Sequence, residues 1–399
     1  MTRRLTTTLG AAAAVLLLTA ACGSSGADTP KTGAGESRTT AGPSDAPATE
    51  AGATGATLET DLAGTSGQAP QEPVETEDGM NVWVISCAQL AEGCAVPGAA
   101  AQEAGEKLGW DVTVFDGAFG AGGAYTTGIR QALSAQADAI ILIAVDCNLV
   151  QGPLREAQTA NVAVIGVFSF DCDDPMIGGE PLFAGKVLMT TELPGIADWA
   201  KGWGEAKGRW IVDATDGQAK VVNTVFDGKI LGTYLNDGLM SVLDDCEGCS
   251  VVEDVHVADT DIGSGVLRQK FAAALTAHPE ANATHAVYDA WMSVAGLAQA
   301  VNESGRAASI AAMGGEGLTP NMEFIKNGRG QSAAVAYDAS WVGYGAIDTV
   351  ARVLAGQEPL PQGIGWQTVD TEHNVPDGDK GYQSEYDFRA DYLAAWGVQ

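Results

Sequence analysis

Ala139-Ile140-Ile141-Leu142-Ile143, then a helix-patterned stretch from Leu149 to Thr159, then Val162-Ala163-Val164-Ile165-Gly166-Val167, is the stretch that decides the fold. A run of five apolar residues has no solvent side, so both of its faces must be covered, as in a parallel sheet flanked by helices. The amphipathic stretch between the two runs serves as the crossover that lays the second strand parallel to the first. Upstream the same unit occurs twice: Val82-Trp83-Val84-Ile85 with a helix from Gly98 to Leu108, then Val112-Thr113-Val114-Phe115 with a helix from Thr126 to Gln136. This is the pattern of a doubly wound α/β domain.

The pattern resumes downstream. Lys220 to Val225, a helix from Gly232 to Leu243, Ser250-Val251-Val252, a helix from Val266 to Leu275, the strand His285-Ala286-Val287-Tyr288 and a helix from Val294 to Val301 form a second set. Strand Ser309 to Met313, helix Asn321 to Lys326 and strand Ser332 to Ala336 complete it. The expected fold class is therefore α/β, with two doubly wound parallel-sheet lobes.

Outward toward the N-terminus the chemistry changes. Met1-Thr2-Arg3-Arg4, an apolar run from Leu9 to Leu18 and the small residues Thr19-Ala20-Ala21 before Cys22 read as a signal peptide over residues 1–21. Leu18-Thr19-Ala20-Ala21-Cys22 resembles a bacterial lipobox apart from Thr19, which makes Cys22 the expected lipidation site. Acyl chains contribute about 0.8 kcal/mol per buried methylene and anchor a protein without a spanning helix. Residues 22–80 are rich in Gly, Ala, Ser, Thr, Pro and acid and lack aromatic residues, so they read as a disordered tether.

The chain carries a net charge of -30, and residues 81–399 alone hold 17 basic against 41 acidic side chains. Such a surface repels phosphate backbones and anionic lipid, which excludes nucleic acid as a partner. Apart from Cys22 there remain Cys87, Cys94, Cys147, Cys172, Cys246 and Cys249, an even set that points to disulfides in an exported protein. Cys87 and Cys94 bracket one loop and Cys246 and Cys249 another, so each is paired locally; Cys147 and Cys172 pair by elimination, each just past a strand. His256, His278, His285 and His373 show no ligand spacing near these cysteines, and neither a metal nor a cofactor is expected.

From about Asn81 to Pro359 the ordered series resembles the ribose/galactose-type ABC-transporter solute-binding proteins of the type I periplasmic binding fold. The residues that carry the resemblance are the strand order of the first lobe, His278-Pro279-Glu280 before a strand, Met313-Gly314-Gly315-Glu316-Gly317, and Ile325-Lys326-Asn327-Gly328. The closing helix Gly343 to Leu354, followed by Ala355-Gly356-Gln357, completes the series. The resemblance implies two lobes joined by a three-stranded hinge, with crossings near Thr190-Thr191, Tyr337-Asp338 and Trp366-Gln367. The first lobe then spans 81–190, completed by about 338–366, the second spans 191–337, and residues 367–399 form the hinge return and a C-terminal tail.

In such sheets a ligand lies beyond the carboxyl ends of the strands. The residues so placed in the first lobe are Gln89, Phe119, Asp146, Phe168, Phe170 and Asp171. In the second lobe they are Asp289, Trp291, Glu316 and Tyr337. Structural readings stand beside these: Phe168 and Trp291 as core, Asp146 and Asp289 as caps of the following helices, Trp341 as hinge packing. Ala290-Trp291 and Gly315-Glu316 depart from the family's usual Asn-Asp and Phe-Asp, and Lys229 is the nearest cation to where an arginine commonly grips sugar hydroxyls.

This inventory of carboxylates and rings with almost no cations suits a small neutral sugar or polyol, or a cationic solute, and suits anions poorly. The expected function is a monomeric receptor tethered by lipid to the outer face of the cytoplasmic membrane. It would close on its ligand and hand it to an ABC permease. A sensory lipoprotein shares every one of these features, and a glycosidase using Asp289 and Glu316 is the enzymatic alternative.

Overall fold

The computed structural model describes residues 56–398, so the leader and Cys22 lie outside the described residues. Strands β1 (Asn81–Ser86), β2 (Asp111–Asp116), β3 (Ala139–Ile143), β4 (Ala163–Val167) and β5 (Gly185–Lys186) form a wholly parallel sheet in the order β2-β1-β3-β4-β5. Every residue of β3 is buried, as its unbroken apolar run requires. The order reverses between β1 and β3, and a crevice at such a switch point is where α/β sheets hold ligands.

The second sheet runs β11-β10-β9-β8-β6-β7. Its strands are β6 (Lys220–Phe226), β7 (Ser250–Val257), β8 (Ala283–His285), β9 (Ala311–Met313), β10 (Ala333–Ala336) and β11 (Gln367–Asp370). All pairings are parallel except β10 with β11. The strand expected over 285–288 ends at His285. There the Ala286 N–H donates to the Met313 carbonyl, and residues 286–288 lead into the short helix Asp289–Ser293. Helix Val294–Val301 of the sequence reading is shifted to Leu297–Glu303, with Gly296 at φ 82° marking its start.

Helix Ile196–Ala214 has no counterpart in the sequence reading. It packs on helix Ile230–Asp244 with almost no space between the backbones: a Cβ at Gly204 would stand 1.9 Å from the Leu235 carbonyl oxygen, and one at Gly238 the same distance from that of Lys201. The chain leaves the second lobe after β10. Asp338 caps helix Ala339–Leu354 by accepting the Ser340 and Trp341 N–H groups, and this helix packs on Glu92–Lys107 of the first lobe. Leu188 then bridges Pro361, and residues 362–367 return to the second sheet.

The expectation of a disordered tether up to Met80 needs correction for residues 56–80. Helix Leu58–Ala63 follows a reciprocal Thr57–Thr60 cap, and Asp61 is fully buried, accepting from Arg209 Nε at 2.7 Å, Arg209 Nη2 at 3.1 Å and Trp366 Nε1 at 3.0 Å. Beyond it the backbone binds the hinge and the tail: Thr65 N–H to the Trp366 carbonyl, Gly67 N–H to that of Gly363, and Val74 N–H to that of Ala395. Composition finds few apolar side chains here, whereas this strap is held mainly by its peptide groups and the Asp61 carboxylate, with the buried Ala69 and Val74 adding to them.

The tail is ordered too. Helix Phe388–Ala395 lies on Ala339–Leu354, with Trp341 stacked on Phe388 at 5.1 Å and Trp396 Nε1 donating to Asp348 at 3.0 Å. Just before it, Tyr382 N–H donates to the Gly317 carbonyl at 2.7 Å, so the tail touches both lobes. The three expected disulfides, Cys87–Cys94, Cys147–Cys172 and Cys246–Cys249, are all formed. Among the described residues no helix is long and apolar enough to cross a membrane.

Candidate functional site

A cleft between the lobes is walled by loops at the carboxyl ends of the strands. Its floor is aromatic. Phe168, just past β4, lies 5.6 Å from Trp199 and 5.4 Å from Tyr337, and Trp199 lies 5.5 Å from Trp203. The second-lobe wall is another ring cluster, with Phe226 at 5.0 Å from Trp291 and 5.9 Å from Tyr288. The first-lobe wall consists of the Cys87–Cys94 loop, Phe119, Tyr125, Ala144 and Asp146. Ala144, Phe168 and Phe119 have left-handed φ values of 53°, 50° and 53°, a strain of about 1–3 kcal/mol each that is commonly concentrated at binding loops.

The lobes are drawn together over this space. Glu316 of the second lobe reaches so close to Gly93 of the first that a Cβ there would stand 2.7 Å from Glu316 Oε1. Phe170 stacks on Tyr234 at 5.4 Å, and the Tyr234 hydroxyl donates to Asp174 Oδ2 at 3.3 Å. Lys229 Nζ lies 5.8 Å from the Tyr125 ring centre.

Of the expected ligand residues, Phe119, Asp146, Phe168, Trp291, Glu316 and Tyr337 line the cleft. The other four do not. Gln89 is exposed outside the cleft, its N–H bound to Asp116. Phe170 packs under the rim against Tyr234. Asp171 is buried and accepts the N–H groups of Cys172, Leu182 and Phe183, which fixes the loop after β4. Asp289 is buried beneath Glu316, accepting from Gly315 at 2.8 Å, Gly317 at 2.6 Å and Leu318 at 2.7 Å. Asp146 stands at the N-cap of Cys147–Thr159, but its side chain makes no cap bond and accepts the Phe170 N–H at 3.1 Å, and Asp289 is already inside its helix.

The structure also adds residues that the sequence reading passed over. Trp199 and Trp203 are spaced one helical turn apart on Ile196–Ala214, a spacing that could have been read as one buried face. Lys207 continues that face. It is fully buried, 3.9 Å from the Trp203 ring centre, and donates to the Val287 carbonyl at 2.8 Å. With Lys229 in the cleft wall, the expectation of a site almost without cations is corrected: two lysines stand against its carboxylates.

Burial and the neighbouring Asp289 push the Glu316 carboxyl up to about 8, while burial pushes Lys207 down to about 7 against the pull of Glu316 and Asp289. Burial also raises Asp146, opposed by the Phe170 N–H and by Lys229. Glu316, Asp289 and Lys207 thus form one buried titrating cluster in which burial disfavours the charged form of each. Cys147, Asp171 and Cys172 converge within 4.8 Å, but both sulfurs are joined in a disulfide and Asp171 is committed to backbone N–H groups, which leaves no metal-binding chemistry there.

A family model of the periplasmic binding protein domain matches residues 92–358. No curated protein matches. Among solved structures, an ABC transporter solute-binding protein from Mycobacterium smegmatis with bound glycerol is 20% identical, with a TM-score of 0.61 over 76% of this chain and 100% of that one. A galactofuranose-binding protein is 15% identical, with a TM-score of 0.60 over 80% of this chain and 99% of that one. A 5-methylthioribose transporter solute-binding protein from Thermotoga lettingae is 17% identical, with a TM-score of 0.61 over 84% and 97%. At these identities the structural likeness establishes the fold, and the family model covers well over half of the sequence: the chain belongs to the periplasmic binding protein domain family.

Proposed function

We propose that the protein is an extracytoplasmic solute receptor of an ABC importer that closes on a small neutral sugar or polyol and presents it to the permease. The observation that carries this reading is the cleft itself. Two lobes meet over ring-lined walls, with Asp146 on one side and Glu316 on the other as acceptors for hydroxyl groups. The glycerol and 5-methylthioribose bound in two similar structures, and the galactofuranose that a third is named for binding, support the same ligand class. Lys229 in the wall and Lys207 behind it offset the carboxylates and weigh against a cationic solute. No chemical step is expected: Asp289, which a glycosidase would need beside Glu316, has its carboxylate oxygens held by three backbone N–H groups.

A thermal-shift screen of sugars, polyols and organic cations, followed by calorimetry, tests the ligand class. Stabilisation by anions alone would refute it. Uptake of the identified solute, measured with and without the neighbouring permease genes, separates import from sensing. Attachment through Cys22, and the monomeric state, belong to the same proposal; Cys22→Ala is expected to move the protein from the membrane fraction to the medium.

A further inference from the structure

We infer that the cleft takes a sugar- or polyol-derived solute with an apolar body, carrying an alkyl, thioalkyl or aryl substituent and few free hydroxyls, in preference to an unsubstituted sugar. This rests on the solute-receptor reading above and specifies the ligand for the same site.

The walls are richer in rings than in partners for a hydroxyl. Among the described lining residues the charged side chains are Asp146, Lys229 and Glu316. Asp146 already accepts the Phe170 N–H, and Glu316 Oε2 already accepts the Asp289 N–H at 2.6 Å. The indoles that line the floor present carbon alone, because Trp199 Nε1 donates to the Ile364 carbonyl at 2.9 Å and Trp203 Nε1 to that of Val335 at 2.7 Å. The Tyr125 hydroxyl is engaged with the Cys87 carbonyl at 3.3 Å. Beyond these the lining holds the Tyr288 and Tyr337 hydroxyls and Trp291 Nε1, while Phe119, Phe168 and Phe226 have no polar atom to offer.

A free pentose or hexose brings four or five hydroxyls, each a donor and an acceptor. Closure of the lobes strips their water, and each one left unpaired weakens binding by about tenfold. Each methylene buried against the rings strengthens it by about fourfold. Rings on two sides of the cleft, one cluster around Trp199 and the other around Trp291, therefore reward apolar surface on both faces of the ligand.

Matched pairs test this by calorimetry on the full folded domain: D-ribose against 5-methylthioribose, and D-xylose against phenyl β-D-xyloside. The substituted member of at least one pair is expected to bind at least tenfold tighter. Phe119→Ala, at the half-buried rim, should shrink that ratio severalfold while binding of the plain sugar changes less. Trp291→Ala is the stronger version, with circular dichroism confirming that the variant is folded. If the plain sugars bind as tightly as their substituted partners, or if neither variant alters the ratio, the inference fails and the receptor reading stands. If no sugar, polyol or derivative binds the folded protein, both fail together.

Discussion

At Gly93 the missing side chain is part of the site, because a Cβ would press on Glu316 Oε1 across the closed cleft. Gly93→Ala is expected to weaken ligand binding by about fivefold, the low end for overpacking, because the clash is with the end of a side chain rather than with backbone. The melting temperature of the free protein should fall little, because the open form relieves the clash. Calorimetry and small-angle scattering on the same sample check both parts, and an unchanged Kd would show that closure does not bring these groups together.

Glu316 itself predicts a pH dependence. Its folded value of about 8 exceeds the ordinary 4.5, so between those limits the folded chain holds a proton that the unfolded chain has released. Stability from this group is therefore complete below about pH 4.5 and declines as pH rises toward 8. Glu316→Gln does not titrate, and its stability relative to the parent should rise by about 2 kcal/mol between pH 5 and 7 in urea melts. A constant gap would mean that Glu316 is ionised throughout that range. Lys207 has the opposite sign and acts from about 7 upward, outside most of this interval.

Glu316 was legible as a cleft residue because it stands in a glycine-rich turn after a strand. Its proton was not legible, because the causes are its burial and Asp289, more than twenty residues away in sequence, which together outweigh the pull of Lys207 from another helix. Asp289 and Asp171 were misplaced for a related reason. A carboxylate after a strand faces either the ligand or the loop's own N–H groups, and sequence does not say which.

At the scale of elements, most strands were legible as short apolar runs bounded by turn signals, although the run over 285–288 leaves the sheet after His285. Helix Ile196–Ala214 was passed over, although its tryptophans form the floor of the cleft. The helix is glycine-rich and charged, and its burial depends on Gly204 and Gly238 letting two backbones touch. Gly204→Leu is expected to destabilise the fold by about 3 kcal/mol or more, since its clash is with backbone and cannot be relieved by a rotamer change. A melting curve within 2 °C of the parent would overturn that packing.

The disulfides differ in reach. Cys147–Cys172 closes a separation of 25 residues and holds the loops after β3 and β4, whereas Cys246–Cys249 closes one of 3 at a turn remote from the cleft. Loop-closure entropy gives about 3.5 kcal/mol for the first and about 1.5 kcal/mol for the second. Paired Cys→Ala variants compared by urea melting should reproduce that order.

The whole molecule is held at its hinge by segments from both ends of the described chain. Asp61 binds Arg209 of the second lobe and Trp366 of the hinge return, and the tail contacts Gly317 and helix Ala339–Leu354. Asp61→Ala leaves the Arg209 guanidinium partly buried beside Glu205 alone, at an expected cost of about 3–5 kcal/mol. A chain begun at Asn81 should melt lower than one begun at Ala56 by a comparable amount, and equal melting temperatures would make the strap incidental.

The sequence by itself determined the α/β alternation of the two lobes and the pairs Cys87–Cys94 and Cys246–Cys249, because each rests on local periodicity or short spacing, while Cys147–Cys172 followed by elimination. The tertiary structure alone decided which carboxylates face the cleft, that Lys207 lies buried behind them, and that residues 56–80 belong to the folded body. Those outcomes depend on hydrogen bonds and desolvation between residues tens to hundreds of positions apart, and no local pattern records them.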